Sequence, residues 1–418
     1  MTGRRRWTGP KNGQGDGWGI GAPMSRRTPA ATRGYHRPMA IYLDHAATSP
    51  LGAEVLDTML PYLMEHHGNP SSIYASGRRA RQGLDEAREA IAASLGAKPR
   101  EIVFTSGGTE ADNLALKGVA WGASAKGRHL VTSAVEHKAV IGSAAVLERQ
   151  GFEITYLPVD HHGRVDPGDV AAAITDRTSL VSIQVANNEV GTLQPVAEIG
   201  AICRERGVAF HTDAVQSAAF APPQPDAWQA SLVSLSAHKL GGPKGIGALY
   251  VRQGTQMLPQ LSGGSQERQR RAGTENVAAI VGFGAAVRIA HPASDLPQLR
   301  DRLIGGLLGL DGVMLTGHPT ERLPNSASVV IEGVEGGDLV AALDLEGIEA
   351  STGSACTTGS VDPSHVLLAM GIDPALAHGS LRLTLGPETR ETEIDRTLEV
   401  VTACVQRLRA SAPVAATV

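Results

Sequence analysis

Ser234-Leu235-Ser236-Ala237-His238-Lys239-Leu240-Gly241-Gly242-Pro243-Lys244-Gly245 is a mostly apolar strand that runs directly into an imidazole, an amine and a glycine-rich turn. Similar units lie on either side of it. Ile102-Val103-Phe104-Thr105, His129-Leu130-Val131-Thr132, and the runs 153–157, 180–185, 208–211, 232–235 and 248–251 all read as short strands. Helical patterns separate them. The clearest puts Ala80, Leu84, Ala87, Ile91 and Leu95 on one face, with Gly96 as a stop. This alternation predicts an α/β domain with a mostly parallel sheet, whose ligands bind beyond the carboxyl ends of the strands. The residues just after each strand therefore carry the functional reading.

Composition narrows the field. The chain has 418 residues, 42% hydrophobic and 19% charged, and its net charge is −4. That is an ordinary globular balance, with length for two or three domains and no nucleic-acid footprint. Its longest uncharged apolar stretch, 277–287, has 11 residues, against the roughly 20 of a membrane-spanning helix. Three cysteines (Cys203, Cys356, Cys404) without a Cys-x-x-Cys pair argue against a disulfide framework and against a metal site, and for a reducing compartment. Residues 1–40 differ from the rest: seven arginines, Lys11 and one acid give +7, leaving −11 for the remainder. Rich in Gly and Pro and lacking an apolar run, this basic leader is expected to be disordered, with Met24 or Met39 as alternative starts. It lacks the apolar core of a secretory signal.

The strand ends hold the chemistry. After Phe104-Thr105, the run Ser106-Gly107-Gly108-Thr109-Glu110-Ala111-Asp112-Asn113 opens a helix with small residues, so it reads either as a phosphate cup or as a capped helix start. It fits neither nucleotide-binding glycine motif. His137 follows the strand at 129–132. Asn188 follows 180–185, and Asp213 follows 208–211, where an acid also serves as an ordinary helix cap. Lys239, beside a hydroxyl and an imidazole, is a candidate amine nucleophile, and pyridoxal phosphate (PLP) is the commonest cofactor held through a lysine Schiff base. PLP also needs an acid at its ring nitrogen, a group stacked on its face and a phosphate cradle. Asp213, His137 and the 107–109 turn supply these in one frame. Cys203 and Cys404 sit in amphipathic helical patterns and read as core. Cys356, in Ser351-Thr352-Gly353-Ser354-Ala355-Cys356-Thr357-Thr358-Gly359, has no apolar face and reads as an accessible, reactive thiol. Arg382 is a candidate bidentate partner for a carboxylate, or else a surface arginine on an edge strand.

Taken together, Tyr42-Leu43-Asp44-His45-Ala46-Ala47-Thr48, Gly68-Asn69-Pro70-Ser71-Ser72, the 105–113 turn, Glu136-His137-Lys138, Asn187-Asn188-Glu189, the runs 213–216 and 236–239, Arg271-Ala272-Gly273-Thr274 and 351–357 resemble the NifS/IscS cysteine desulfurases. These are class V aminotransferase-like PLP enzymes, and the resemblance runs from about residue 41 to about 408. It implies a type I PLP-dependent transferase fold. The large PLP-binding domain would span 53–290, a smaller α+β domain would combine 41–52 with 291–410, and a tail would follow at 411–418.

The resemblance also implies roles. Lys239 would carry PLP, Asp213 would pair with its ring nitrogen, Gln216 would contact the ring oxygen, and His137 would stack on the ring and move protons. Gly108, Thr109, Ser236 and His238 would bind the phosphate, joined by Thr274 from the partner subunit of a homodimer. Asn188 and Arg382 would hold the substrate carboxylate. The implied reaction converts L-cysteine to L-alanine and leaves a persulfide on Cys356. Its sulfur would pass to an acceptor protein for iron–sulfur cluster assembly or tRNA thiolation, in the cytoplasm, with no membrane or direct nucleic-acid partner. Transamination, selenocysteine lysis and a cofactor-free sulfur relay are the competing functions. His45 and Tyr74 depart from the commoner Asn and His of the family. His45 is expected near the mouth of the site, whereas Tyr74 is expected to affect packing alone.

Overall fold

A computed structural model describes residues 40–290, 295–353 and 363–411. The leader up to residue 39, the tail from 412 and Cys356 lie outside the described residues.

Among the described residues, twelve strands form three sheets: β1 (Ile41–Tyr42), β2 (Ile102–Thr105), β3 (His129–Ser133), β4 (Glu153–Leu157), β5 (Thr178–Ser182), β6 (Ala209–Asp213), β7 (Leu232–Ser236), β8 (Gly247–Val251), β9 (Val313–Leu315), β10 (Ser326–Ile331), β11 (Ile348–Glu349) and β12 (Ser380–Thr384). The central sheet runs β2-β8-β7-β6-β5-β3-β4. It is parallel from β7 through β4, and only β8 runs against its neighbours. The mostly parallel sheet read from the sequence is therefore present.

Alternation of side chains explains its three layers. Leu130, Leu180, Leu232 and Leu249 point to one face, where α3 (Gly108–Gly122) and α4 (Lys138–Arg149) cover them with Leu114, Val119, Val140 and Leu147. Their neighbours Val131, Val181, Val233 and Ala248 point to the other, under α2 (Ala75–Ser94) and the helices Val196–Glu205 and Val277–Ile289. Strands buried on both faces are apolar at consecutive positions, as these are. On α2, Ala80, Leu84, Ala87 and Ile91 are buried, and Gly96 takes the left-handed φ of +62° that ends the helix. Two strands differ from the sequence expectation. The run 180–185 leaves its regular ladder after Ser182, and the strand expected at 208–211 extends to Asp213, which thus closes β6 itself.

The antiparallel sheet β12-β10-β9 has its own core of Leu299, Leu303, Ala327, Val329, Leu339, Leu381, Leu383, Ile394 and Val401. Residues 41–48 are bound into this region. β1 pairs with β11, Asp44 bridges to Thr384, and Leu43 is buried in the same core. Ser49 N–H then donates to His238 O at 2.8 Å, which ties the segment to the turn after β7.

One turn beside the central sheet is conformationally unusual. Glu267, Arg268 and Gln269 all have positive φ, at 46°, 58° and 64°, a region costing non-glycine residues roughly 1–2 kcal/mol each. A buried bidentate pair compensates: Arg88 donates to Glu267 at 2.7 and 2.8 Å, and Phe104 N–H donates to the same carboxylate at 3.0 Å. Arg88→Met would leave that carboxylate buried and unpaired, at a cost of about 3–5 kcal/mol. Urea unfolding should show the lower midpoint, and adding Glu267→Gln should recover part of it.

Candidate active site

At the carboxyl ends of β6 and β7 lies a cavity of about 250 Å³, lined by Ala47, Gly108, Thr109, Asp112, His137, Gln184, Ala186, Asn188, Asp213, Val215, Gln216, Ser236, His238 and Lys239. Eight of the residues expected from sequence to surround PLP are thus together with Asn188, although they come from five strand ends. A second recess of about 360 Å³ shares Ala47, Gly108, Thr109, Ser236 and His238 and adds Thr48, Ser106, Gly107, Glu110, Lys244 and Gly245.

Lys239 ends a single 3₁₀ turn, Ala237–Lys239, directly after β7. Its ammonium donates to Ala47 O at 2.9 Å and to Ala46 O. Gln216 Nε2 donates to the same Ala46 carbonyl at 3.0 Å. Asp213 accepts from Val215 N–H at 2.8 Å, so the acid does shape the following turn, while it also faces the cavity. His137 is the N-cap of α4, its Nδ1 accepting from Ala139 N–H at 3.2 Å. A neutral ring that accepts at Nδ1 carries its proton on Nε2.

The recess suits a phosphate. Gly107 has φ +155° and ψ −177°, and a Cβ on Gly108 would stand 2.8 Å from Val215 Cγ2, so both glycines are needed for the close turn. The fifteen-residue helix α3 presents its N-terminus there. Ser236 Oγ is buried without a hydrogen-bond partner, as expected of a hydroxyl whose acceptor is a ligand. His238 bonds Thr48 Oγ1 through Nδ1 at 3.1 Å; burial first, then Lys239 and Lys244, lower its pKa to about 4, leaving a neutral donor. Burial opposes the charge of Glu110, yet bonds from Arg271 and Ser106 hold its pKa below the ordinary value. Its charge is answered by Arg271 at 2.8 Å. The donor set, the orphaned hydroxyl and the glycine cradle together fit PLP.

Not every expected residue lines the cavity. Arg382 lies behind it, 2% exposed, which excludes the surface-arginine alternative. Its Nη2 pairs with Asp44 Oδ1 at 2.7 Å, and its Nη1 donates to Asn188 O at 2.9 Å and Gly353 O at 3.2 Å. Thr274 is exposed and away from the lining. His45 packs edge-on to Tyr42 and against Gly386, with its pKa lowered to about 4 by burial, and does not line the cavity. Tyr74 is 58% exposed. Cys203 and Cys404 are buried, with burial pushing the Cys203 thiol up to about 12, as befits core residues.

Sequence reasoning gave no role to Asp112, Glu136 or Gln184. Asp112 and Asp213 are buried side by side, and burial first of all raises both carboxyls above the ordinary value. Like charges so close repel, which opposes ionising both acids at once. Glu136 accepts from Ser133 Oγ at 2.7 Å and from Gln184 N–H at 3.1 Å, yet burial still raises its pKa to about 8. Their sequence neighbours, Glu110 and Asn113 beside Asp112 and His137 and Lys138 beside Glu136, are polar, so local pattern gives no signal that these acids are buried.

The aminotransferase class-V family description matches residues 41–397. The chain is 50% identical over 379 residues to cysteine desulfurase IscS of Methanosarcina thermophila, covering 90% of this chain and 94% of that one. It is 49% identical over 379 residues to cysteine desulfurase IscS of Dictyoglomus turgidum, covering 89% and 96%. A solved NifS-like protein superposes with a TM-score of 0.82 at 36% identity, covering 88% of this chain and all of that one. SspA in complex with cysteine superposes at 0.76 and 36% identity, over 84% and 100%. The fold is that of the NifS-like enzymes, as expected from sequence.

The Glu136 carboxyl supplies a pH test. Its folded pKa of about 8 exceeds the ordinary 4.5, so between those values the folded chain keeps a proton the unfolded chain releases. The stabilisation is complete below about 4.5 and is lost as pH rises towards 8, by up to about 1.4 kcal/mol per pH unit. Glu136→Gln should flatten this slope when urea midpoints of both proteins are compared from pH 5 to 8.5.

Proposed function

Because this chain belongs to the aminotransferase class-V family, we propose that it acts as a cysteine desulfurase, converting L-cysteine to L-alanine with PLP and placing the sulfur on Cys356. The relatives named cysteine desulfurase IscS support the activity. The observation that carries the residue assignment is the convergence of an amine, a buried acid pair, a capped imidazole and an anion recess on one cavity.

When bound, PLP supplies an electron sink that allows a proton to leave the substrate's α-carbon and weakens the bond to its sulfur. The protein's own groups do the rest. Gly108, Thr109, Ser236 and His238 would hold the cofactor's phosphate, and Asp213 with Gln216 would hold its ring. Lys239 would hold the cofactor through its amine, a group that can also carry a proton. His137, locked by its cap on α4, would offer Nε2 for proton movement beside the ring. Asn188 and Arg382 hold the substrate carboxylate, which has to enter among the Arg382 contacts to Asp44, Asn188 and Gly353. The Cys356 thiolate attacks the substrate sulfur, a new S–S bond forms as the C–S bond breaks, and the carbon skeleton takes up protons to leave as alanine. Neither buried cysteine is suited to that attack.

Several finer points belong to the same proposal. The chain works as a cytoplasmic homodimer, Thr274 completes the partner's phosphate site, and the persulfide is passed to an acceptor protein for iron–sulfur cluster assembly or tRNA thiolation. The cofactor-binding part spans 53–290 and the smaller part combines 41–52 with 291–410. Among the described residues, no helix is long and apolar enough to cross a membrane.

Purified protein loaded with PLP and given L-cysteine should release alanine and accumulate one persulfide on Cys356, read by peptide mass. Cys356→Ala should retain the cofactor's visible absorbance while alanine release falls by more than about 100-fold. Lys239→Ala should lose the lysine-bound chromophore. Wild-type alanine release by Cys356→Ala would overturn the sulfur-acceptor role.

A further inference from the structure

Asp112 and Asp213 reach the floor of the cavity from different elements, the second turn of α3 and the end of β6. Their carboxyls and the His137 ring bring ligand atoms within 4.8 Å of one another, so the two acids adjoin and can share a proton. A carboxylate has no proton to donate, so a hydrogen bond between two carboxyls requires one of them to stay protonated.

The surroundings decide which. Asp213 accepts the Val215 N–H at 2.8 Å and has the Lys239 amine beside it, both of which favour its anion. Asp112 has only the Ser234 hydroxyl on the side of its anion. It is 1% exposed, and its Oδ1 lacks a hydrogen-bond partner. Its nearest imidazole, His211, lies 3.7 Å away and is pushed by burial to a pKa of about 3, hence neutral. That ring is already engaged on both sides, Nδ1 by Ser182 at 2.8 Å and Nε2 by Ser234 at 3.0 Å. The remaining acid in the neighbourhood, Glu136, adds no positive charge. The groups facing Asp112 are Ser234, His211, Glu136 and Asp213, with the His137 imidazole within 4.8 Å.

We propose that Asp112 is a positioning residue, a neutral carboxylic acid that donates a hydrogen bond to Asp213, fixing that carboxylate and keeping its single negative charge for the cofactor's ring nitrogen. The purpose rests on the role given to Asp213 above. The location of the proton is a property of the protein alone and is read without the cofactor.

The test uses cofactor-free protein and two readouts. Glu136→Gln serves as the background for infrared spectroscopy, because Glu136 is a second buried acid. That variant should show a protonated-carboxyl band at pH 7.5, and the band should vanish on adding Asp112→Asn. In PLP titrations of the cofactor-free protein, Asp112→Asn, whose amide still donates, should stay within about threefold of wild-type affinity. Asp112→Ala should weaken it by at least about tenfold, the loss of one charge-assisted bond. Absence of the band in Glu136→Gln, its survival in the double variant, or equal weakening by Asn and Ala would each overturn the proposal. Undiminished PLP affinity in Asp213→Asn would instead overturn the role of Asp213, and with it the purpose but not the site of the proton.

Discussion

The position of the Lys239 amine depends on two backbone carbonyls, those of Ala46 and Ala47. They belong to a segment that the second sheet holds from behind: Ala46 N–H donates to Thr384 Oγ1 at 2.9 Å, and Leu43 is buried in that sheet's core. From the front, Ser49 grips the turn that carries the lysine through His238 O and Lys239 O. The amine is thus suspended between two independently built cores. The packing of β12 against 41–48 therefore bears on where the amine at the end of β7 stands.

Burial governs charge throughout this region. His211 and His238 are kept neutral and Glu136 protonated, in each case chiefly because their surroundings penalise the ionised form. The ion pairs that persist have geometric support, as in Arg271 with Glu110 and Arg382 with Asp44. The cavity is therefore bordered by neutral donors and a few fixed charges.

Much of this was legible in the sequence because it follows local rules. The alternation of strands and helices, the buried face of α2, and the placement of Asp213 and Lys239 at strand ends all depend on neighbours a few residues away. What escaped depends on distance. Asp44 is the partner of an arginine 338 positions later. The carbonyls that hold Lys239 belong to alanines whose side chains give no hint of the role. Asp112 stands among Glu110 and Asn113 on a helix, where an acid ordinarily faces water, and only the meeting of α3 with β6 shows it to be buried. His45, adjacent in sequence to the lysine's acceptors, opens the 45–47 turn and its ring packs toward Tyr42 and Gly386 instead.

The pairing of the earliest described strand with one of the last has a consequence for synthesis. β1 has no strand to join until β11 has been made, and Ala46 waits for a threonine 338 positions downstream. A polypeptide still emerging from the ribosome can collapse its central sheet, but its first strand stays unpaired until the far end arrives, since contacts of such long sequence separation form late. Assembly of the lysine's pocket accordingly waits for β12, and a chain truncated before that strand would fold much of its central sheet without the support that Thr384 gives Ala46.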